Sequence, residues 1–158
     1  MSRRSKNKPT PDGRKIIAKN RKVRHDFDVE ETLEAGVSLL GSEVKSARDG
    51  KVSLVDAYAI IENGEAWLVH AHIAEYAHAH GRNHEPRRRR KLLLNRREIN
   101  RLIAKVREKG FTIAVLSMYF KKGKIKVEIG LARGRRAYDK REAIRKKDEK
   151  RLSSTDKF

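Results

Sequence analysis

The sequence predicts a mainly β protein: a small antiparallel barrel flanked by about three α-helices, with basic extensions at both ends that are disordered on their own. Three observations predict it. Two apolar, partly β-branched stretches are each folded back by a glycine-containing turn, and one well-capped amphipathic helix lies between them.

The elements follow in chain order. Residues 1–18, opening "MSRRSKNKPTPDGRK", are polar, basic and punctuated by Pro and Gly, so they predict a disordered extension. They hold no apolar run of the kind a secretory signal needs. The body is expected over residues 19–132. "FDVEETLEAGVSLLG" mixes strand-like alternation at Phe27 and Val29 with a helix-compatible "ETLEAG", which leaves open where strand gives way to helix. "GSEVKSARDG" predicts a short helix that stops at Gly50.

In "VSLVDAYAIIENGEAWLVHAHI" two strand-like runs flank "ENGE", where Asn63-Gly64 supplies the positive φ angles of a tight hairpin. The middle helix starts with Asn95 and Glu98 as N-cap and capping box. Ile99, Leu102, Ile103 and Val106 form its apolar stripe, and Gly110 sits where a C-terminal cap belongs. "FTIAVLSMYFKKGKIKVEIGLA" is the second hairpin, turning at Gly123. There Ile125, Val127 and Ile129 alternate with Lys124, Lys126 and Glu128, which gives an apolar inner and a basic outer face. Short strands, two hairpins and a packed helix suit a barrel of the oligonucleotide-binding type, although such a fold alone does not give a function.

Residues 133–158 differ. "RGRRAYDKREAIRKKDEKR" alternates acids and bases at helical spacing, yet Tyr138, Ile144 and Leu152 are nearly all the large apolar side chains it offers. Ordering each residue costs about 1 kcal/mol, which so few buried groups do not offset. An isolated helix of this length is marginal in water. The tail is therefore expected to be loose alone and to order on something negatively charged.

Charge points the same way. Lys and Arg total 40 against 21 Asp and Glu, for a net charge of +19 over 158 residues. Such a field favours a polyanion. With ~6–10 phosphate contacts, affinity would fall ~10³–10⁵-fold between 50 and 200 mM salt. A membrane partner is not expected, since the basic stretches lack interleaved large apolar residues. Cysteine is absent, which excludes disulfides and thiol chemistry and suits a cytoplasmic protein.

The motifs for catalysis are sparse. No P-loop, dinucleotide fingerprint, zinc-protease helix or nucleophile elbow is present. One enzyme alternative stays open: Glu43-Val44-Lys45 with Asp26 or Asp28 upstream has the acid-then-E-x-K order of metal-dependent nucleases. The expectation is nonetheless no catalytic residues, no metal and no cofactor. His70 and His72, one residue apart on an expected strand, share a face. His78, His80 and His84 fall in a Gly-containing loop and are expected to meet phosphate or solvent. Five consecutive bases, Arg87 to Lys91, run straight into "LLL" and a helix start, so they are held against a folded body. Arginine forks onto phosphate or stacks on a base, which suits structured RNA. "KNRKVRHDF", Lys19 to Phe27, is a second basic run. Aromatic residues are only 6%, so reading RNA by shape and phosphate is favoured over stacking on several rings.

Taken in order, "NRKVRHDF", "EAGVSLLGSEVKSARDGKVSL", "YAIIENGEAWL", "RRRKLLLNRREI" and "GLARGRRAYDKRE" resemble the family of tmRNA-binding small protein B (SmpB), from about Lys19 to Arg151. The resemblance implies a non-enzymatic rescue factor for bacterial ribosomes stalled on messages that lack a stop codon. Its oligonucleotide-binding-like barrel would grip the tRNA-like domain of transfer-messenger RNA. Asn20, Glu34, Leu93 and Asn95 fall on positions the family uses for RNA binding, and Arg21, Lys22, Arg24, Arg90 and Lys91 would add phosphate contacts.

The resemblance further implies that the tail becomes helical in the empty mRNA channel of the 70S ribosome, against small-subunit rRNA. Gly134, Tyr138, Asp139, Lys140 and Arg141 occupy the functional tail positions. Elongation factor Tu would be an indirect partner through the alanine-charged RNA, and the chain would act as a monomer. A ribosomal structural protein remains a further alternative.

Overall fold

The computed structural model describes residues 13–134, except His80 and Lys109. Tyr138, Asp139, Lys140 and Arg141, and with them the expected tail helix, lie outside the described residues. Within them the chain runs β1 (Lys15–Lys19), α1 (Val23–Asp26), β2 (Phe27–Val37), α2 (Gly41–Arg48), β3 (Val52–Ser53), β4 (Tyr58–Glu62) and β5 (Glu65–Val69). It continues with β6 (His72–Ile73), β7 (Arg90–Leu93), α3 (Arg96–Arg107), β8 (Phe111–Lys121) and β9 (Lys124–Gly134).

The main sheet is antiparallel and closes on itself. Its order is β1-β8-β4-β5-β7-β2-β9, and β9 pairs back onto β8. One edge of β8 is shared: Ile113 and Ala114 pair with β4, while Ser117 to Phe120 pair with β1. Register shifts at Val29/Glu31 in β2 and Val115/Ser117 in β8 place bulges in the two longest pairings. Bulges bend and twist a strand, which helps so few strands close into a ring. A separate two-stranded sheet joins β3 to β6.

Both expected hairpins form. Asn63 and Gly64 have φ of 52° and 74°, and Lys122 and Gly123 have 50° and 75°. The ring is filled by Leu54, Leu68, Leu92, Ile113, Val115, Met118, Val127 and Ile129, with Leu102 of α3 packed among them. Alternation along β8 sends Ala114 and Leu116 to the opposite face, where they meet Val23 of α1 in a second, smaller cluster.

Several expectations change. The undecided stretch from Phe27 is one eleven-residue strand, because its pairing with β9 over most of its length outweighs the local helical pattern. Ile16 and Ala18 pair with Tyr119 and Met118, so the sheet begins ahead of the body expected from residue 19. Arg133 and Gly134 pair with Asp28 and Phe27 and so belong to the sheet end, not to a separate tail. In α3, Ile99 and Leu102 are buried, but Val106 stays 39% exposed beyond the reach of the ring. No helix among the described residues is long and apolar enough to cross a membrane.

Candidate RNA-binding surface

Strand alternation sorts the basic run. Arg90 and Leu92 point inward from β7, and Lys91 and Leu93 point outward. Arg90 is fully buried: its Nε donates to Glu43, Nη1 to the Ala71 carbonyl at 2.8 Å and Nη2 to the Pro86 carbonyl at 3.0 Å. This corrects its expected role, because every guanidinium nitrogen is used inside the fold and none is left for phosphate.

Glu43 is equally committed. One carboxylate oxygen accepts from Arg90, the other from Arg88 and from the Leu40 N–H at 2.9 Å. Burial pushes its carboxyl up, but these donors outweigh burial and hold it below the ordinary Glu range. The nuclease alternative fails on this geometry, since a buried carboxylate already saturated by two arginines has no lone pair for a catalytic metal. Lys45, its expected partner, instead lies over the Tyr76 ring.

The histidines disperse. His84 is buried, bonded through its two ring nitrogens to Ser42 Oγ and the Ile73 carbonyl, so it does not meet solvent as expected. His70 is at a bend after β5 and not on a strand with His72. Among the described residues, no group of three His, Asp or Glu side chains is placed to hold a metal ion.

Glu34 lies half-buried on β2. Its carboxylate accepts from the Tyr119 hydroxyl at 2.5 Å and from Lys121 Nζ at 3.3 Å, with Arg14 at 3.9 Å. The Tyr119 hydrogen bond, opposed by burial and aided by the two cations, holds the Glu34 carboxyl below its usual range. Burial, reinforced by Glu34, pushes the Tyr119 hydroxyl up. Two residues on and on the same face, Gly36 pairs with Leu93 of β7. A Cβ at Gly36 would come within 3.1 Å of the Leu93 Cβ, so glycine permits this close approach. Leu93 remains 53% exposed. Leu93, Lys91 and Asn95 line one open cleft of about 340 Å³, with Asn95 at the N-cap of α3 and its N–H donating to Glu98 at 3.3 Å.

Glu34, Leu93, Lys91 and Asn95 therefore form one neighbourhood. Lys91 and Arg89 pair with Glu65 and Glu62, but these ion pairs are exposed and worth at most about 1 kcal/mol each, so phosphate can displace them. Tyr119, Lys121 and Arg14 escaped the sequence expectation. The hairpin turn fixes Tyr119 opposite Lys126, but only the long-range β2–β9 register brings Glu34 to them.

Asn20 stands apart. Its Nδ2 donates to the Leu54 carbonyl at 2.9 Å, and it lines a different cleft, of about 310 Å³, with Lys22 and Tyr58. Arg21, Lys22 and Arg24 are exposed and form no ion pair with the described residues. They are thus better placed for phosphate than the Arg87–Lys91 run. Gly134 ends β9 opposite Phe27.

Comparison with known proteins places this surface in context. Residues 17–157 match the SmpB protein family. The chain is 60% identical over 132 residues to the SsrA-binding protein of Acidothermus cellulolyticus, covering 84% of this chain and 83% of that protein. It is 55% identical to the SsrA-binding protein of Kineococcus radiotolerans, over 90% and 92% of the two chains. A chain of a solved tmRNA-SmpB structure, described at the centre of the bacterial ribosome, superposes with a TM-score of 0.64 at 47% identity, over 80% of this chain and 93% of that one. Relatedness of this depth across the ring, the clefts and both hairpins means that the chain belongs to the SmpB family.

Proposed function

We propose that the chain binds tmRNA, the SsrA RNA of its relatives' names, and acts with it in trans-translation as a non-enzymatic adaptor for stalled ribosomes. One observation carries this: exposed Leu93 and Asn95 line a single cleft with half-buried Lys91, beside Glu34, in a chain 60% identical to an SsrA-binding protein. An apolar side chain held out beside cations suits contact with an RNA fold that is gripped by shape and backbone.

The finer parts of the proposal are these. The ring acts as an oligonucleotide-binding-type barrel on the tRNA-like domain, with Glu34, itself held by buried Tyr119, orienting Lys121 toward it. Arg21, Lys22 and Arg24 hold phosphates. The C-terminal residues beyond Gly134, including Tyr138, Asp139, Lys140 and Arg141, enter the empty mRNA channel of the small subunit, so an occupying message excludes them. Elongation factor Tu meets the chain only through the charged RNA, in the cytoplasm.

The test is truncation before Ala137. The shortened chain is expected to bind tmRNA as the parent does, with steep salt dependence, yet to support no tagging of stalled nascent chains. Full tagging by the truncated chain would overturn the tail proposal, and loss of tmRNA binding would overturn the division of labour between ring and tail.

A further inference from the structure

We propose that Tyr58 and His70 form a stacking platform for one unpaired nucleobase of the RNA partner, beside the cleft that holds Asn20 and Lys22. This rests on the RNA-binding function proposed above and adds a base contact at residues outside the expected RNA-binding set.

The rings lie 5.3 Å apart at 28°, in a stacked arrangement. Among the described Phe, Tyr and Trp residues, Tyr58 alone is exposed, at 40%, and His70 is exposed as well. A chain with 6% aromatic residues has buried or half-buried every other described Phe, Tyr and Trp. An aromatic pair left in water offers a π-face to any base, which stacking reads without regard to sequence.

The backbone supports the same assignment. Four non-glycine residues have positive φ among the described ones: Asn63 and Lys122 open the two hairpin turns, each followed by glycine. Asp56 and His70, at 64° and 63°, bracket Tyr58 instead. Asp56 sits in the turn entering β4, and His70 follows Val69, the register partner of Tyr58. Left-handed side-chain-bearing residues cost energy and gather at functional sites. Asn20 secures the first of these turns, because its amide and the Ala57 N–H both donate to the Leu54 carbonyl, at 2.9 and 3.0 Å.

The cleft suits a base more than a phosphate. Tyr58 lines it with Lys22, but so do Asp26 and Asp56. Carboxylates repel phosphate and accept from the amino groups of bases. Exposed Arg21, Lys22 and Arg24, at and next to this cleft, are available for the flanking phosphates.

The base could come from tmRNA or from ribosomal RNA, and the experiment separates them. Binding of the full chain to purified tmRNA, and separately to small ribosomal subunits, is followed by fluorescence anisotropy across a salt series. Tyr58→Ala is expected to weaken one arm about 5- to 150-fold, the range for losing one stacked base, with the salt slope unchanged. Tyr58→Phe keeps the ring and should bind as the parent does. His70→Gly keeps the turn, since glycine takes positive φ freely, and should weaken the same arm less. Parent-like binding of Tyr58→Ala in both arms would overturn the platform. So would equal losses for Phe and Ala, or a loss that flattens the salt slope, which signals a phosphate contact. If the parent chain itself binds neither RNA, the proposed function falls and this inference with it.

Discussion

The hydroxyl of Tyr119 donates to the carboxylate of Glu34 at 2.5 Å, joining the inner length of β8 to β2 across β9. Tyr119 is fully buried, so this acceptor satisfies a hydroxyl that has left water. Glu34 thus has a structural task before any RNA arrives. Glu34→Ala is expected to destabilise the chain by about 1–3 kcal/mol, the cost of an unsatisfied buried donor, whereas Glu34→Gln keeps an acceptor and costs less. Urea unfolding of the two variants checks the order. Equal, negligible effects would show that the hydroxyl does not depend on Glu34.

Acid sensitivity follows from the same carboxylate and from Glu43. Both are held below the ordinary Glu value of 4.5, so the folded state binds their protons less readily than the unfolded chain does. Their stabilising contribution is complete above about pH 4.5 and is lost as pH falls through the lower folded values. Unfolding midpoints should drop on acidification below that point, and Glu34→Gln should reduce the slope. A midpoint that rises on acidification would contradict this.

The buried Glu43–Arg90 pair ties α2 to β7 and to the carbonyls of Ala71 and Pro86. Arg90→Ala leaves a buried carboxylate with one partner fewer, and about 3–5 kcal/mol of stability should be lost. Replacing both residues by leucine or methionine should recover much of that loss. If Arg90→Ala instead folds as well as the parent and loses only RNA affinity, the internal assignment of Arg90 is wrong.

Leu93 presents the opposite case. At 53% exposure it contributes little to the ring, so Leu93→Ala should change stability by no more than about 0.5 kcal/mol. Affinity for tmRNA should nevertheless fall measurably. Calorimetric unfolding and a tmRNA titration on one preparation make the comparison, and unchanged affinity would remove Leu93 from the interface.

Local chemistry made parts of this fold legible. Asn63-Gly64 and Lys122-Gly123 announce their turns because a tight hairpin requires positive φ at both central positions. Asn95 and Glu98 mark the start of α3 for similarly local reasons, whereas the helix ends at Arg107 with Glu108 as its C-cap, ahead of the expected cap at Gly110. Strand β2 was not decided locally, since "ETLEAG" fits either state and only β9, ninety residues or more along the chain, settles it. Strand β1 escaped because two isoleucines among lysines look like the basic extension around them.

For the candidate site, the Arg87–Lys91 run read as uniform charge. The period of two, with Arg90 sharing the face of Leu92, held the signal that Arg90 is internal. Its partner Glu43 carried no local sign of burial and drew notice only through the E-x-K order, because no local pattern shows which side of α2 the ring will cover.

The most direct measurement is the RNA that travels with the protein. The full chain, purified from its host cells at moderate salt, should carry tmRNA as its dominant RNA, enriched far above its cellular share. A preparation dominated by ribosomal RNA in equal proportion to every ribosome, or one free of tmRNA, would contradict the proposed function.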